Sequence, residues 1–108
     1  ENDLTILFEE VDLDASGMKD ALFKLGQNRD DFVAVLASKK NNKPVLSCYV
    51  SKALAEQGNI QASAIIKAIG PHIQGGGGGQ VFFATAGGKN PAGIPQALAA
   101  AKELVLNS

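Results

Sequence analysis

Two clusters of glycine are the segments of this sequence best suited to binding chemistry. The first is a run of five consecutive glycines followed by Gln80: Gly75, Gly76, Gly77, Gly78 and Gly79. A glycine held in a regular element forfeits roughly 0.5–1 kcal/mol relative to alanine. Successive glycines can also bring backbone N–H groups close to a phosphate or a base with no Cβ in the way. The run therefore predicts either a mobile loop or a backbone surface that binds an anionic ligand.

The second cluster, Gly87-Gly88-Lys89-Asn90, lies between a predicted strand and a predicted helix. The N–H groups and the dipole at a helix start attract anions, and Lys89 adds a positive charge. A plain strand-to-helix turn is the alternative. The apolar run between the clusters would separate them by about 20 Å if it forms a strand. We therefore expect the clusters at opposite ends of that strand, unless the glycine run folds back along it.

Neither cluster fits a nucleotide-binding fingerprint. A phosphate loop of the Walker type needs a glycine five positions before Gly88, where Phe83 stands, and Ser or Thr in place of Asn90. A dinucleotide fingerprint needs three spaced glycines after a strand, whereas the five-glycine run precedes one, and Gln80 occupies the third site counted from Gly75.

No catalytic or metal-binding constellation is recognisable among the remaining residues. Cys48, in an apolar run, is expected to be buried and inert, and His72 lies alone at a predicted helix end. One cysteine and one histidine cannot supply a four-ligand zinc site, so no cofactor is expected within this chain.

Apolar runs and apolar stripes predict the elements that must position the glycines. Strands are expected at Leu4–Val11, Phe32–Ser38, Val45–Ser51 and Val81–Ala86, the last of them covered on both faces. Helices are expected from a cap at Asp14 or Ser16 to Gly26, over Ala62–Ile69 ending at Gly70-Pro71, and over Ile94–Val105 with Pro95 in the first turn. Asn41 and Asn42, which tolerate positive φ, predict an antiparallel hairpin between the second and third strands. The order β-α-β-β-α-β-α predicts an α/β fold, with helices packed on a mixed sheet in a single domain over residues 1–108.

Charge is distributed unevenly along the chain. The formal net charge is -1, but residues 1–20 carry seven acids and one base, whereas residues 21–108 carry nine bases and four acids. The second part can therefore form a modest basic face, although interspersed surface charge is the simpler interpretation.

No apolar stretch approaches the roughly 18 residues of a membrane span, and the N-terminus lacks a secretory pattern, so we expect a cytoplasmic protein without a membrane partner. The first residue is Glu1, so we expect a fragment of a longer protein.

From the glycine run to the last helix, the sequence resembles the DHH-associated domain family, as found in the C-terminal globular module of alanyl-tRNA synthetases. The motifs are Gly77-Gly78-Gly79, a short strand, then Ala86-Gly87-Gly88-Lys89-Asn90-Pro91 and an amphipathic helix. The resemblance extends upstream over nearly the whole chain. Members commonly carry a basic residue in the glycine loop followed by Arg-Pro-Asp, whereas this chain has Gly76 and then Gln80, Val81 and Phe82. The missing arginine removes a charge-assisted phosphate contact, often worth about 1.5–3 kcal/mol.

The resemblance implies a non-catalytic accessory domain of an alanine–tRNA ligase. Such a module contacts the outer corner of tRNA(Ala) and couples aminoacylation with editing, which are carried out by the other domains of a parent enzyme that uses ATP, magnesium and zinc. The implied RNA-binding residues are both glycine clusters with Gln80 and Lys89. Two alternatives stay open: the substrate-binding domain of a DHH-type phosphodiesterase or exonuclease, and a homodimerisation module that packs through its apolar helix faces.

Overall fold

Five strands and four helices make up the fold of this chain, for which a computed structural model describes residues 5–27, 29–39, 42–58 and 60–106. The strands are β1 (Thr5–Glu10), β2 (Phe32–Ser38), β3 (Val45–Val50), β4 (Gly76–Gly79) and β5 (Phe83–Gly87). The helices are α1 (Ala15–Gly26), α2 (Lys52–Gln57), α3 (Ala62–Ile69) and α4 (Ile94–Leu106). Short 3₁₀ turns at Gly70–Ile73 and Pro91–Gly93 precede β4 and α4.

The strands form one mixed sheet in the order β1-β2-β3-β5-β4. β1 runs parallel to β2, and the other neighbours are antiparallel. The predicted α/β class and mixed sheet are therefore confirmed, with two additional elements, α2 and β4. The β2–β3 hairpin is also as predicted, and Asn42 has a φ of 62°. Leu4 and Asn41 lie outside the described residues.

The helices begin and end where their local chemistry requires. Of the two predicted caps for α1, Asp14 is the one used, because its carboxylate accepts a hydrogen bond of 2.8 Å from the Gly17 N–H. The apolar stripe predicted for α3 is buried along its whole length: Ala62, Ile65, Ile66 and Ile69. α3 gives way to a 3₁₀ turn at Gly70. Pro95 occupies the first turn of α4, where it costs no helical hydrogen bond.

The sheet has a core on each face because successive residues of a strand point to opposite sides. α3 and α4 pack on one face over a large apolar cluster that includes Leu46, Cys48 and Ala84. α1 packs on the other face over a smaller cluster, in which Met18 and Leu22 are fully buried. α1 packs mainly on β2 and β3. Among the described helices, none packs to a similar extent on this side of β5 and β4.

β5 differs from its prediction in two ways. It begins at Phe83 instead of Val81, because Val81 and Phe82 form the turn that joins it to β4. It is also covered on both faces only in part: Ala84 and Ala86 are buried under α3 and Phe83 packs against the α1 cluster, but Thr85 is only half-buried on the α1 side. The continuous apolarity of the run comes from Val81 and Phe82 in the turn, from the two alanines and from Phe83, and does not require a second helix along the whole strand.

Candidate nucleic-acid interface

The glycine run is a strand at the end of the sheet and not a loop. β4 pairs antiparallel with β5, with Gly76 opposite Gly87, Gly77 opposite Ala86, Gly78 opposite Thr85 and Gly79 opposite Ala84. Of the two arrangements left open by the sequence, the run folding back along the strand is therefore the one found, and the separation of about 20 Å does not apply. Because the run folds back along β5, residues of both clusters lie side by side on neighbouring strands.

Close packing against β5 explains why every second residue of the run, Gly75, Gly77 and Gly79, is glycine. A Cβ on Gly77 would overlap the Thr85 carbonyl oxygen and lie 2.6 Å from the Ala86 Cα. The same overlap arises between Gly75 and the Gly87 carbonyl oxygen, and Gly79 has a φ of 153° that side chains rarely adopt. The close approach of two backbones thus demands glycine at these positions.

The remaining glycines have no such explanation. A Cβ built on Gly76, Gly78 or Gly87 meets no atom within 4 Å. Because paired residues share a face, these three lie with Thr85 on the α1 side of the sheet. We call the surface made by Gly76, Gly78, Thr85 and Gly87 the open glycine face. Apart from the half-buried Thr85, this face is bare backbone, and at its three glycines a Cβ would meet no neighbouring atom.

Strand pairing fixes where the N–H groups of the run point. The Gln80 N–H donates to the Phe83 carbonyl at 2.8 Å, so the antiparallel alternation directs the N–H groups of Gly78 and Gly76 toward β5 and that of Gly77 to the outer edge of the sheet. The Gly75 N–H donates to the Gly70 carbonyl at 3.1 Å. The run is therefore not a concave nest of convergent N–H groups, and a ligand can approach it as a flat face and an outer edge.

The second cluster also uses its N–H groups inside the protein. Gly88 donates to the Pro44 carbonyl at 3.0 Å, and Lys89 and Asn90 both donate to the Ile73 carbonyl at 2.9 Å. A 3₁₀ turn separates Asn90 from α4. The sequence predicts a row of N–H groups at a helix start that could bind an anion. In the structure, these N–H groups already donate to carbonyls of the protein. Gly88 is required sterically, since its Cβ would overlap the Ile73 carbonyl oxygen.

Two polar side chains from the predicted set remain accessible. Gln80 pairs with Phe83 at one end of β5, and Lys89 follows Gly88 at the other end; both residues are exposed. Sequence reasoning missed Phe23, which contacts Phe83 at a ring-centroid distance of 5.1 Å and is 43% exposed. The sequence feature that could have drawn attention to Phe23 is its position on α1, next to the buried Leu22 but outside the buried stripe of Met18 and Leu22.

The chemistry of this surface is that of binding and not of proton transfer. The open glycine face contains no titratable side chain. Cys48 is fully buried under α3 on the opposite face, as predicted, and this burial raises the pKa of its thiol. Among the described residues, no group of three or more His, Cys, Asp or Glu side chains can hold a metal ion. In the same part of the chain, no helix is long and apolar enough to cross a membrane.

Comparison with known proteins agrees with the fold and the motifs. The model of the DHHA1 domain matches residues 3–107. The alanine–tRNA ligase of Christiangramia forsetii is 46% identical over 104 residues, which are 96% of this chain and 12% of that protein. That of Flavobacterium psychrophilum is 42% identical over the same shares. The chain thus spans about an eighth of the length of these relatives.

A solved structure resembles this one closely. The C-Ala domain from Aquifex aeolicus alanyl-tRNA synthetase superposes with a TM-score of 0.85 at 28% identity, over 95% of this chain and 92% of that one. The resemblance inferred from the glycine motifs is therefore confirmed. The chain belongs to the DHHA1 domain family, in the form found as the C-Ala domain of alanyl-tRNA synthetases.

Proposed function

We propose that this chain is a non-catalytic tRNA-binding module of a longer, cytoplasmic alanine–tRNA ligase. In this proposal it contacts the outer corner of tRNA(Ala) and helps one bound tRNA serve the aminoacylation and editing domains. ATP, magnesium and zinc would be bound by those other domains of the parent enzyme. Similarity to alanine–tRNA ligases over 96% of the chain supports the assignment to such an enzyme.

The observation that carries the proposal is the unexplained absence of side chains at the three glycines of the open glycine face. Gly76, Gly78 and Gly87 each forfeit about 0.5–1 kcal/mol relative to alanine, and no neighbouring atom requires that loss. Local rules that are broken without a structural reason concentrate at functional sites. A bare backbone lets a bulky sugar-phosphate or base edge approach the sheet directly, which suits recognition of RNA by shape.

The other candidate residues have distinct roles in this proposal. Gly75, Gly77, Gly79 and Gly88 shape the surface by allowing close backbone packing. Gln80 supplies a hydrogen-bonding amide at one end, and Lys89 supplies a cation near a phosphate at the other. Weak intrinsic affinity is sufficient, because tethering to a synthetase gives effective concentrations near the millimolar range.

The test measures how tightly two variants, Gly78→Val and Ala68→Val, bind a full-length tRNA(Ala) transcript. Gly78→Val places a branched side chain on the open glycine face, where the structure has room for it. Ala68→Val, an exposed position of α3 on the other side of the sheet, is the control. We expect Gly78→Val alone to weaken binding, with both variants folded. Binding by Gly78→Val equal to that of the unmodified chain would contradict the proposal.

Homodimerisation is the second candidate, and the position of β4 favours it. β4 ends the sheet, and its outward backbone groups offer a template on which another strand can pair. A second copy would add its own β4 in antiparallel fashion. Sedimentation of the chain tests this directly: a dimer in which the outward Gly77 N–H becomes protected from hydrogen exchange would support edge pairing, and a monomer at all concentrations would exclude it.

A further inference from the structure

The flank of α1 that borders the open glycine face carries an exposed aromatic ring. Phe23 stands at a steep angle to two rings of the sheet, 5.1 Å from Phe83 and 5.4 Å from Tyr49, with interplanar angles of 78° and 68°. These contacts orient the ring, yet 43% of Phe23 remains exposed. Phe23 is thus held in place by two rings of the sheet and still partly open to solvent.

Its position places Phe23 at the start of the open glycine face. Phe83, Thr85 and Gly87 occupy alternate positions of β5 and so share one side of the sheet. Phe23 sits against the first member of this row. The row from Phe83 to Gly87 extends for about 13 Å. Beyond Phe23, therefore, the same side of β5 and β4 carries only the Thr85 side chain and the glycines Gly76, Gly78 and Gly87.

A cation accompanies the ring. The Lys19 Nζ, one helical turn earlier on the same flank of α1, lies over the Phe23 ring at 5.9 Å from its centroid. Lys19 is exposed, so a stacked base would displace its side chain toward the adjoining phosphate. An aromatic ring, a neighbouring cation and an adjoining polar backbone are the components with which proteins hold single-stranded nucleic acid: the base stacks and the cation meets the phosphate. An apolar protein partner fits less well, because covering Phe23 would also bring it against Lys19 and the bare backbone of β5.

We infer that Phe23 is a stacking platform for an unpaired or terminal RNA base, whose sugar-phosphate chain continues over the open glycine face while Lys19 contacts the adjacent phosphate. This inference rests on the proposed tRNA binding and deepens it, because it names a side-chain contact and its chemistry.

The experiment measures binding of the tRNA(Ala) transcript by Phe23→Ala, Phe23→Leu and Phe23→Trp at several salt concentrations. Loss of stacking should weaken binding about 5- to 150-fold in Phe23→Ala. Phe23→Leu keeps apolar contact with Phe83 and Tyr49 but cannot stack, so it should weaken binding similarly. Phe23→Trp keeps an aromatic ring at this position and should bind tRNA as tightly as the unmodified chain does. Leu25→Ala truncates a residue of similar exposure, 48%, elsewhere on α1 and should change nothing. Lys19→Ala should reduce the salt slope by about 0.7–0.9.

The outcomes separate this inference from the function on which it rests. If Phe23→Leu and Phe23→Ala bind tRNA as the unmodified chain does while Gly78→Val does not, the stacking platform is wrong and the proposed function stands. If the unmodified chain shows no tRNA binding at millimolar concentration, both are overturned. If Leu25→Ala weakens binding as much as Phe23→Ala, the effect is not stacking, and the inference is likewise overturned.

Discussion

Gly76 of β4 lies directly opposite Gly87 of β5, so the two glycine clusters of the sequence meet on neighbouring strands. This pairing turns two separate motifs into one surface. It also divides the glycines into two groups, those that close packing requires and those that it does not. The second group defines the surface to which we assign RNA binding.

The first prediction contrasts neighbouring glycines of β4. Gly77→Ala should lower the free energy of unfolding by about 1–3 kcal/mol, because the new methyl group overlaps backbone atoms of β5. Gly78→Ala should leave it unchanged or raise it slightly, because the methyl group meets open space and alanine is less flexible when unfolded. Urea denaturation of both variants measures the difference. Equal stabilities would show that β4 does not pair as described.

Two buried serines give a second matched comparison. The Ser51 hydroxyl accepts from the Phe32 N–H at 3.0 Å and donates to the Arg29 carbonyl at 2.8 Å. Ser51→Ala should therefore cost about 1–3 kcal/mol, since it leaves the buried Phe32 N–H without that acceptor. The Ser47 hydroxyl is buried and has no hydrogen-bond partner within the described part of the chain. Ser47→Ala should be neutral or stabilising by up to about 1 kcal/mol. A larger loss in Ser47→Ala than in Ser51→Ala would contradict both assignments.

Burial of Cys48 predicts how stability depends on pH. Burial raises the pKa of the thiol in the folded state, so above about pH 9 the unfolded chain loses this proton while the folded chain keeps it. The stability contribution is complete below that pH and declines above it, by up to about 1.4 kcal/mol per pH unit. Chemical denaturation from pH 8 to pH 10, compared with Cys48→Ala, measures this slope. An identical slope in the variant would show that the thiol is not its source.

Lys89 is predicted to contribute charge to RNA binding. Lys89→Ala should weaken binding to the tRNA(Ala) transcript by roughly 0.5–2 kcal/mol and flatten its salt dependence, since one phosphate contact is lost. Lys67→Ala removes another exposed lysine, from α3 on the other side of the sheet, and is the control. Unchanged affinity and slope in Lys89→Ala would remove this residue from the interface.

The regular elements were predictable because their signals are local. The bounds of β2 agree from Phe32 to Ser38, and the apolar stripe of α3 is buried as its spacing indicates. Asp14 caps α1 as one of two local choices. Periodicity and capping depend on residues within one or two turns, so they can be read from the chain directly.

β4 could not be predicted in the same way, because five glycines have no pattern of alternation and low strand propensity. Their strand conformation comes from pairing with β5, a tertiary effect. The candidate site could likewise be predicted only in part. Its glycines, Gln80 and Lys89 were found from the motifs, whereas Phe23 joins the surface only through its contact with Phe83, which no local pattern encodes.

The most direct test of RNA binding at the open glycine face is an NMR titration of the chain with tRNA(Ala), following every backbone amide. We predict that the amides of Gly76, Gly78 and Gly87 shift together and saturate, while those of α3 on the opposite side of the sheet stay in place. Saturating tRNA that shifts amides elsewhere, or none at all, while these three glycines remain unchanged would contradict the account.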